Sequence, residues 1–313
     1  MKRKTILITG AYGFVGINLS NILKDNYTLW ALDVIEKPLI VFSRHFSWKL
    51  LDTLPWNEID IIIHLAAKVH DLKKRQDKKI YFEVNTELTK KIFDRYLKSG
   101  AKQFFFFSSS KAAANIVEGD FLTEDVSPKP VGPYGESKLA AEEYILSSAA
   151  INQRQKFYIF RPCMIHGPGN KGNLKLLYDV ISKGIPWPLG AFDNKRSFLS
   201  IHNLSYIIEQ FINQSPESGI YNLADDEPVS TNELIGLIAE SGNRKIRMLN
   251  LNRSFVSGIA KIGTICNFPF NMDRLQKLTG NFVVSNNKLK QAIGIEKLPF
   301  EAKEGLKQTL KTF

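Results

Sequence analysis

Short apolar runs alternate with longer segments of helical period along the first half of the chain. The apolar runs occupy residues 5–9, 27–33, 60–67, 103–110 and 156–162. The helical segments lie near residues 14–24, 80–99 and 135–151. Continuous apolar runs separated by helices are typical of a parallel sheet that helices cover on both faces. The pattern therefore predicts an α/β protein with a doubly wound parallel sheet.

The pattern changes after about residue 163. Pro, Gly and Asn become more frequent, and mixed helical and short extended segments replace the regular alternation. A chain of 313 residues is long enough for one large domain or two smaller ones. We predict a Rossmann-type sheet domain over residues 1–165, with segments near 195–225 as candidates for a return to it. A smaller α/β domain follows over residues 166–313.

The composition is that of a globular protein. Hydrophobic residues make up 44% of the chain and charged residues 23%, and no uninterrupted apolar stretch approaches the ~18 residues of a membrane span. The basic start breaks into Gly-Ala-Tyr-Gly after a few apolar residues, which is not the pattern of a secretory signal. Cys163 and Cys266 are far apart in the sequence, which fits a reducing compartment. We expect a cytoplasmic protein without a membrane span.

The formal net charge of +11 points to an anionic partner. A phosphate ester, a nucleic acid and an anionic membrane surface all fit this charge, and so does a Lys-rich surface that is only solvated. The local cluster Lys73-Lys74-Arg75, followed by Lys78-Lys79, lacks the interleaved aromatic residues of a platform for single-stranded nucleic acid. We interpret it as a surface helix or loop and expect no nucleic-acid partner.

Three glycines follow the first apolar run, in the sequence TILITGAYGFVG. Gly10 allows a tight turn, Gly13 allows the pyrophosphate of a dinucleotide to approach the backbone, and Gly16 allows a helix to pack closely on the strand. The N-terminus of that helix offers unpaired N–H groups to the phosphates. A purely structural turn is the alternative, but the strand before and the helix after the glycines favour dinucleotide binding.

Asp33 ends the second apolar run and refines the choice of cofactor. A carboxylate here accepts hydrogen bonds from both ribose hydroxyls and repels a 2′-phosphate, which favours NAD over NADP. A surface Asp at the end of a strand is the alternative. Lys37 is close enough in sequence to weaken the discrimination.

Tyr134 and Lys138 lie four residues apart at the predicted start of a helix, in the sequence GPYGESKLAAEEY. With ten tyrosines in the chain, chance alone gives roughly one such Tyr–Lys spacing. The pair becomes informative only together with the motifs around it.

The chain resembles the extended short-chain dehydrogenase/reductase family. The resemblance covers essentially the whole chain and depends on the glycine turn followed in order by DIIIHLAAKVH, FFFFSSS and YGESK. The phrases EVN, RPCMIHGPGNKGN, PWPLGAFDNKRSFLSIHNL and LTGNFVVSNNKLKQAIGIEKLPFEAKEGLKQT are similar to one branch of it. This branch holds UDP-glucose 4-epimerase-like enzymes and the 4-keto reductases that make UDP-N-acetyl-6-deoxyhexosamines for surface polysaccharides.

The resemblance implies a catalytic set of Ser109, Tyr134 and Lys138. Tyr134 would exchange a proton with the C4 oxygen of the sugar while a hydride passes between C4 and the nicotinamide. Residues four apart on a helix share a face, so Lys138 would lower the pKa of the Tyr134 phenol. Ser109 would orient the same oxygen. Ser110 is the alternative, and residues 108–110 could instead only cap the edge of the sheet.

The resemblance also implies binding residues. Those that would border NAD, besides the glycines and Asp33, are Phe14, Val15, Asp52, Ala66, Ala67, Asn85, Tyr134, Lys138 and Cys163. The substrate, a UDP-sugar, would contact Ser109, Asn173, Leu174, Arg196 and Arg274. Asn173 and Leu174 would open a helix whose N-terminus holds the diphosphate, and the two arginines would bind phosphate unless they are only surface cations. His166 replaces a usual aromatic residue and is interpreted as structural, since no metal-type spacing of His and Cys occurs.

Several functions remain open at this stage. A 4-epimerase and a 4-keto reductase are both consistent with the motifs. A dehydratase is disfavoured, because Ser110-Lys111 replaces the acid and base pair that elimination of water needs. A non-catalytic dinucleotide sensor or RNA-binding relative is the alternative of another class, although the intact Ser, Tyr and Lys set argues against it. A homodimer is expected from the resemblance alone.

Overall fold

The structure is a computed structural model that describes residues 3–35, 39–69, 77–148, 155–268 and 270–313. Lys37 and the cluster Lys73-Lys74-Arg75 lie outside these residues. The strands are β1 Thr5–Thr9, β2 Thr28–Asp33, β3 Arg44–Ser47, β4 Ile61–His64, β5 Gln103–Phe107, β6 Lys156–Pro162, β7 Met164–His166, β8 Phe198–Ser200 and β9 Gly219–Leu223. In the described part of the chain, no helix is both long and apolar enough to cross a membrane.

Helices connect the strands. They are α1 Phe14–Leu23, α2 Lys78–Phe82, α3 Leu88–Lys98, α4 Ser110–Ala113, α5 Pro133–Ser148, α6 Asn173–Ile181, α7 Ile201–Gln214, α8 Thr231–Ser241, α9 Arg253–Ile265, α10 Met272–Thr279, α11 Asn287–Ile293 and α12 Ala302–Leu310. Short 3-10 helices occupy Trp48–Thr53 and Trp56–Glu58, and a π-helical turn, Glu83–Glu87, joins α2 to α3.

The main sheet has the order β3-β2-β1-β4-β5-β6-β9 within the described residues, and every neighbouring pair of strands is parallel. The chain runs outward from β1 in one direction and then, from β4 onward, in the other. The strand order therefore reverses between β1 and β4, and ligands of doubly wound sheets bind at the carboxyl ends of the strands at such a point. The predicted fold class is confirmed.

Alternate residues of each strand face opposite layers of the core. Ile6 and Ile8 of β1 belong to one hydrophobic cluster, whereas Leu7 belongs to the cluster on the other face. Phe105 and Phe104 of β5 divide in the same way. Both faces are buried, which explains why the strands read as continuous apolar runs rather than as an alternation of apolar and polar residues.

The C-terminal part builds a separate hydrophobic cluster. Buried residues of α6, α8, α9, α10 and α12, such as Leu174, Ile235, Val256 and Leu306, pack together in it. β7 and β8 form a separate parallel pair. β7 comes directly after β6 along the chain, and β8 comes directly before α7. β9 lies within the segment 195–225 and pairs with β6 in the main sheet. The chain thus leaves the sheet after β6 and returns to it.

Candidate active site

The glycine turn places three backbone segments close together. Gly10 has a φ of +66°, and a Cβ atom on it would lie 2.7 Å from the backbone nitrogen of Ala66. A Cβ atom on Gly16 would lie 2.5 Å from the carbonyl oxygen of Ala11. Side chains at these positions would push α1 and the end of β4 away from β1. The glycines are therefore required by the close approach of the backbone, as well as by any ligand.

α1 begins without a capping side chain. Gly13 is its N-cap residue, no side chain accepts a hydrogen bond from the first turn, and no acidic residue lies in that turn. The first N–H groups of the helix, which include those of Phe14 and Val15, have no partner within the helix. Uncapped N–H groups and the positive end of the helix dipole form a site for phosphate.

Asp33 closes the other side of the turn. One carboxylate oxygen accepts a hydrogen bond from the Tyr12 nitrogen at 3.0 Å, and the other accepts one from the Val34 nitrogen at 2.7 Å. Asp33 is 7% exposed and lies opposite Ser47 in the register of β2 with β3. The second oxygen also accepts a hydrogen bond from the Ile35 nitrogen at 3.3 Å. The carboxylate is thus fixed at the carboxyl end of β2, and the oxygen that accepts from Tyr12 keeps a lone pair for a ribose hydroxyl.

The end of β4 is held by a buried histidine. His64 lies between the Thr9 hydroxyl, 2.6 Å from its Nδ1, and the Thr89 hydroxyl, 2.9 Å from its Nε2. Burial lowers the pKa of His64 to about 3, so the ring is neutral. The Thr9 hydroxyl also accepts a hydrogen bond from the Ala66 nitrogen at 3.3 Å. Ala66 and Ala67 consequently lie beside the glycine turn, in the crevice where the strand order reverses.

Asn85 lies on the π-helical turn between α2 and α3. Its Oδ1 accepts a hydrogen bond from the Lys68 nitrogen at 2.8 Å, and its Nδ2 donates to the Ser137 hydroxyl at 2.9 Å. This buried side chain ties the loop after β4 to α5. A π-helical turn inside a helix is rare and is often found at functional sites, because the extra residue changes the direction in which a side chain points.

Ser109 and Tyr134 come together where α4 packs on α5. Burial raises the pKa of Tyr134, and a side-chain hydrogen bond with Ser109 opposes this rise. The contact requires Gly135, because a Cβ atom there would lie 2.5 Å from the carbonyl oxygen of Lys111. Of the three serines considered, Ser108 instead donates to the Glu142 carboxylate, and Ser110 is the first buried residue of α4.

Lys138 is buried one turn after Tyr134. Its Nζ donates to the Phe107 carbonyl oxygen at 2.7 Å and lies 4.8 Å from the centre of the Phe106 ring. Burial lowers the pKa of Lys138 to about 7, and the negative charge of Glu142 opposes this shift. The ammonium group therefore lies at the carboxyl end of β5 and titrates near neutral pH.

A buried ion pair that the motifs did not reveal supports this lysine. Arg161 and Glu142 are 1% and 0% exposed, and Nη2 of Arg161 lies 2.6 Å from Oε2 of Glu142. The Nε of Arg161 also donates to this carboxylate, at 3.1 Å. Glu142 follows Lys138 by four residues, so both lie on the buried face of α5. The spacing of four residues from Lys138 is the signal in the sequence that could have identified Glu142 as a partner of this lysine.

Two cations lie around Phe282 in the C-terminal part of the site. Nζ of Lys111 is 4.2 Å, and Cζ of Arg196 is 5.9 Å, from the centre of the Phe282 ring. Nη1 of Arg196 donates to the Lys277 and Gly280 carbonyl oxygens at 2.9 and 3.1 Å. Burial and the charge of Arg196 lower the pKa of Lys111 to about 8. Two neighbouring cations held by carbonyl oxygens and an aromatic ring favour an anionic ligand.

The remaining predicted residues divide into two groups. Cys163 follows β6, is 9% exposed, and donates its backbone N–H to the Leu223 carbonyl oxygen at 3.0 Å. Asn173 is exposed at the start of α6, which also lacks a capping side chain, and Leu174 is buried in the C-terminal cluster. The loop between β7 and α6 meets α1, since the Asn18 side chain donates to the Pro168 carbonyl oxygen at 3.0 Å.

Within the described part of the chain, Asp52 and Arg274 form no hydrogen bond or ion pair with the other predicted residues. The Asp52 side chain is 79% exposed and pairs with Arg95 at 2.5 Å. It lies in a 3-10 helix, beyond Ser47, the residue that stands beside Asp33. Arg274 is exposed on α10, the helix whose Lys277 carbonyl oxygen holds Arg196. His166 is buried and forms a hydrogen bond of 2.8 Å with Thr309, which ties β7 to α12.

The residues fit a dinucleotide. The uncapped start of α1 suits the pyrophosphate, Asp33 suits a ribose, and Lys138 lies beyond β4 at the end of β5. Glycine backbone lines this crevice, and a Cβ atom on Gly10 or Gly16 would collide with neighbouring backbone atoms. The groups that suit the cofactor therefore lie along the crevice, from the glycine turn to the Ser109–Tyr134 contact.

Comparisons with known proteins agree with this geometry. Residues 6–224 match the family model of the NAD dependent epimerase/dehydratase family. The UDP-glucose 4-epimerase of Vibrio cholerae is 31% identical and covers 99% of this chain and 95% of its own length. The GDP-6-deoxy-D-mannose reductase of Pseudomonas aeruginosa is 24% identical over 75% of this chain and 79% of its own. The structure of a Bacillus cereus UDP-glucuronic acid 4-epimerase with NAD superposes with a TM-score of 0.76 at 18% identity, covering 98% of this chain and 96% of its own.

Proposed function

The chain belongs to the NAD-dependent epimerase/dehydratase family, and we propose that it catalyses oxidation and reduction at C4 of a UDP-sugar. NAD is the cofactor of this family, and when bound it takes the C4 hydrogen as hydride and returns it. The epimerase form of this reaction agrees with the relative that spans nearly the whole chain. The 4-keto reductase form uses the same residues.

The observation that carries the proposal is the contact of Ser109 with Tyr134, one turn before a buried Lys138. A phenol and an ammonium group on one helical face, next to a dinucleotide crevice, are an acid–base device for an alcohol that becomes a ketone. A structural role alone does not explain why a lysine is 1% exposed with a backbone carbonyl as its hydrogen-bond partner.

Each residue then has one task. Tyr134 takes the proton from the C4 hydroxyl during oxidation and gives a proton back during reduction. Ser109 holds the same oxygen. Because burial raises the pKa of Tyr134, the phenol needs nearby positive charge to release its proton at neutral pH, and Lys138 supplies part of it.

The other end of the substrate meets the cations around Phe282. Arg196 is assigned to the diphosphate, since a guanidinium group binds phosphate with two parallel hydrogen bonds. Lys111 follows Ser109 by two residues and is assigned to the sugar end of the same anionic ligand. The uncapped start of α6, with Asn173 and Leu174, is assigned to the diphosphate as well, and Arg274 is a weaker candidate for it. A homodimer is also proposed, from the family resemblance.

Nicotinamide fluorescence distinguishes the two forms of the reaction. Purified protein is mixed with NADH and a UDP-4-keto-6-deoxy-N-acetylhexosamine, and separately with NAD and a panel of UDP-hexoses. A reductase consumes NADH in proportion to the 4-hydroxy sugar formed, whereas an epimerase converts a UDP-hexose into its C4 epimer without net change in NADH. Protein that is saturated with NAD but converts none of these sugars contradicts the proposal. Steeply salt-dependent binding of RNA by such protein would then favour the non-catalytic alternative.

A further inference from the structure

α9 presents a row of apolar side chains to solvent, which we call the α9 stripe. Phe255, Ile259 and Ile262 are spaced so that they share one helical face, and they are 61%, 45% and 58% exposed. Ile265, at 80%, and Phe268, at 58%, extend the row at its C-terminal end. Scattered single apolar residues are normal on a surface, whereas large apolar side chains that share one exposed helical face mark an interaction site.

The opposite face of α9 is firmly packed. Val256 and Ala260 are 4% and 0% exposed and belong to the C-terminal hydrophobic cluster. Gly263 touches the following segment, because a Cβ atom there would lie 1.9 Å from the Phe270 carbonyl oxygen. The helix therefore has two apolar faces. The protein covers one of them, and this contact holds the stripe in a fixed orientation on the surface.

The segment around the stripe is purely cationic. Residues 241–272 contain five basic residues and no Asp or Glu. All five are exposed: Arg244, Lys245, Arg247, Arg253 and Lys261. The nearest acidic residues along the chain are already paired, Glu240 with Lys307 at 3.0 Å and Asp273 with Lys277 at 2.7 Å. The positive charge of this surface therefore has no internal compensation within the segment.

We propose that α9 docks the protein on an anionic phospholipid surface. An amphipathic helix with large apolar residues on its exposed face and Lys and Arg around them lies in the plane of a membrane interface. Its apolar side chains enter the boundary between headgroups and acyl chains, and its cations attract the anionic lipids. This assigns part of the net charge of +11 to a partner.

A second copy of this chain fits the same surface less well. A two-fold contact through the stripe would bring the same patch of each copy together. The basic residues on one copy would then face the basic residues of the other, with no acidic residue in either segment to pair with them. Anionic headgroups, by contrast, neutralise this charge.

Docking is independent of the proposed function. None of the residues assigned to the cofactor or to the sugar belongs to the stripe. Conversion of a water-soluble UDP-sugar therefore serves as a check that each variant is folded, and failure of the proposed reaction leaves the docking test intact. The change in melting temperature on adding NAD is a second check that does not depend on turnover.

Sedimentation with lipid vesicles tests the proposal. The full chain is mixed with phosphatidylcholine vesicles that contain or lack phosphatidylglycerol. We expect binding only with phosphatidylglycerol, a fall of at least roughly tenfold in partition for the double variant Phe255→Ser/Ile262→Ser, and a fall of roughly tenfold for Lys245→Gln/Lys261→Gln. Arg253 is left in place because its Nε donates to the Ala191 carbonyl oxygen at 2.8 Å. Phe121→Ser, at a position 56% exposed in another part of the chain, is the matched control and keeps full binding.

Three results would overturn the proposal. The first is that the wild-type protein stays in solution with both kinds of vesicle. The second is that the Phe255→Ser/Ile262→Ser variant partitions as strongly as Phe121→Ser. The third is a wild-type dimer, detected by analytical ultracentrifugation without lipid, that this double variant converts to a monomer while vesicles bind neither. That result would make the stripe an interface between copies of the chain.

Discussion

In the proposed reaction, the charge of Lys138 lowers the pH at which Tyr134 releases its proton. Replacing Lys138 by Met keeps the length of the side chain but removes the cation, so the pKa of the phenol stays at the raised value that burial gives it. We expect the pH at which C4 oxidation becomes fast to move upward by about one to three units, the usual effect of one nearby charge. Single-turnover absorbance at 340 nm across a pH series measures this shift.

Lys91→Met is the control for that experiment, because Lys91 is exposed on α3 and has no assigned role in the site. Its pH profile should match the wild-type profile. A Lys138→Met variant that is slower by the same factor at every pH would show that the lysine only positions the cofactor.

Glu142 has a structural task that the exposed glutamate beside it does not share. Glu142→Gln leaves the charge of Arg161 buried without a counter-charge, and breaking a buried ion pair in this way costs about 3–5 kcal/mol. Glu143→Gln, at the adjacent exposed position, should change stability by less than about 0.5 kcal/mol. Urea unfolding of both variants measures the difference, and equal stabilities would contradict the role assigned to the pair.

The family resemblance identified candidate residues for the site, but not the buried residues that hold them in place. Tyr134, Lys138 and Ser109 follow from the family resemblance, because chance alone gives roughly one Tyr–Lys pair with this spacing. The contact of Ser109, rather than Ser110, with Tyr134 depends on the packing of α4 on α5, which Gly135 permits. Arg161 lies on β6, nineteen positions after Glu142, and no periodicity connects residues that only the folded sheet brings together.

At the scale of elements, the contact of α1 with the glycine turn leaves no room for a side chain at Gly16. An alanine at Gly16 would place its Cβ 2.5 Å from the Ala11 carbonyl oxygen and 2.7 Å from that of Gly10. Because both are backbone atoms, the helix must shift away from the phosphate site. We expect Gly16→Ala to lose about 1–3 kcal/mol of stability and most of its increase in melting temperature with NAD.

Gly236→Ala is the matched control. Gly236 lies inside α8, and a Cβ atom there meets nothing within 4 Å. The substitution should raise stability by roughly 0.5–1 kcal/mol, because alanine loses less backbone entropy in a helix, and should leave NAD binding unchanged. Differential scanning calorimetry with and without NAD compares the two variants. Similar behaviour of both would mean that close packing at Gly16 is unimportant.

The pattern of apolar residues predicts some strands and helices but not others. The apolar runs of β1, β2, β4, β5 and β6 gave five strands of the sheet, because strands buried on both faces need continuous apolar sequence. β3, with the sequence RHFS, has no such run, since it is a half-exposed edge strand. The predicted helix over 80–99 is interrupted by the π-helical turn at Asn85, which side-chain and loop contacts stabilise rather than local propensity.

At the scale of the whole molecule, the buried histidine makes the fold sensitive to acid. Burial lowers the pKa of His64 to about 3 in the folded protein, whereas the unfolded chain has a value near 6.5. Between these values the unfolded state binds a proton that the folded state does not, so stability falls as the pH falls. From pH 6.5 to 5 this group alone should cost about 2 kcal/mol.

His64→Gln keeps a polar side chain near Thr9 and Thr89 but does not titrate. We expect this variant to be less stable at pH 7 and to lose less additional stability at pH 5 than the wild-type protein. Urea unfolding at the two pH values gives both differences. If the wild-type protein and the variant lost equal stability between them, His64 would be protonated in the folded protein.

The most direct test of the C4 reaction follows one hydrogen atom. NAD-loaded protein is mixed with UDP-hexoses and UDP-6-deoxyhexosamines that carry deuterium at C4, and mass spectrometry locates the label. We predict that, for one of these sugars, deuterium moves to the nicotinamide or returns to C4 of the epimer without exchange with water. Tyr134→Phe should slow this transfer by roughly 10²–10⁴-fold while NAD still binds. Loss of the label to solvent, or full activity of Tyr134→Phe, would contradict the assignment of C4 chemistry to Ser109, Tyr134 and Lys138.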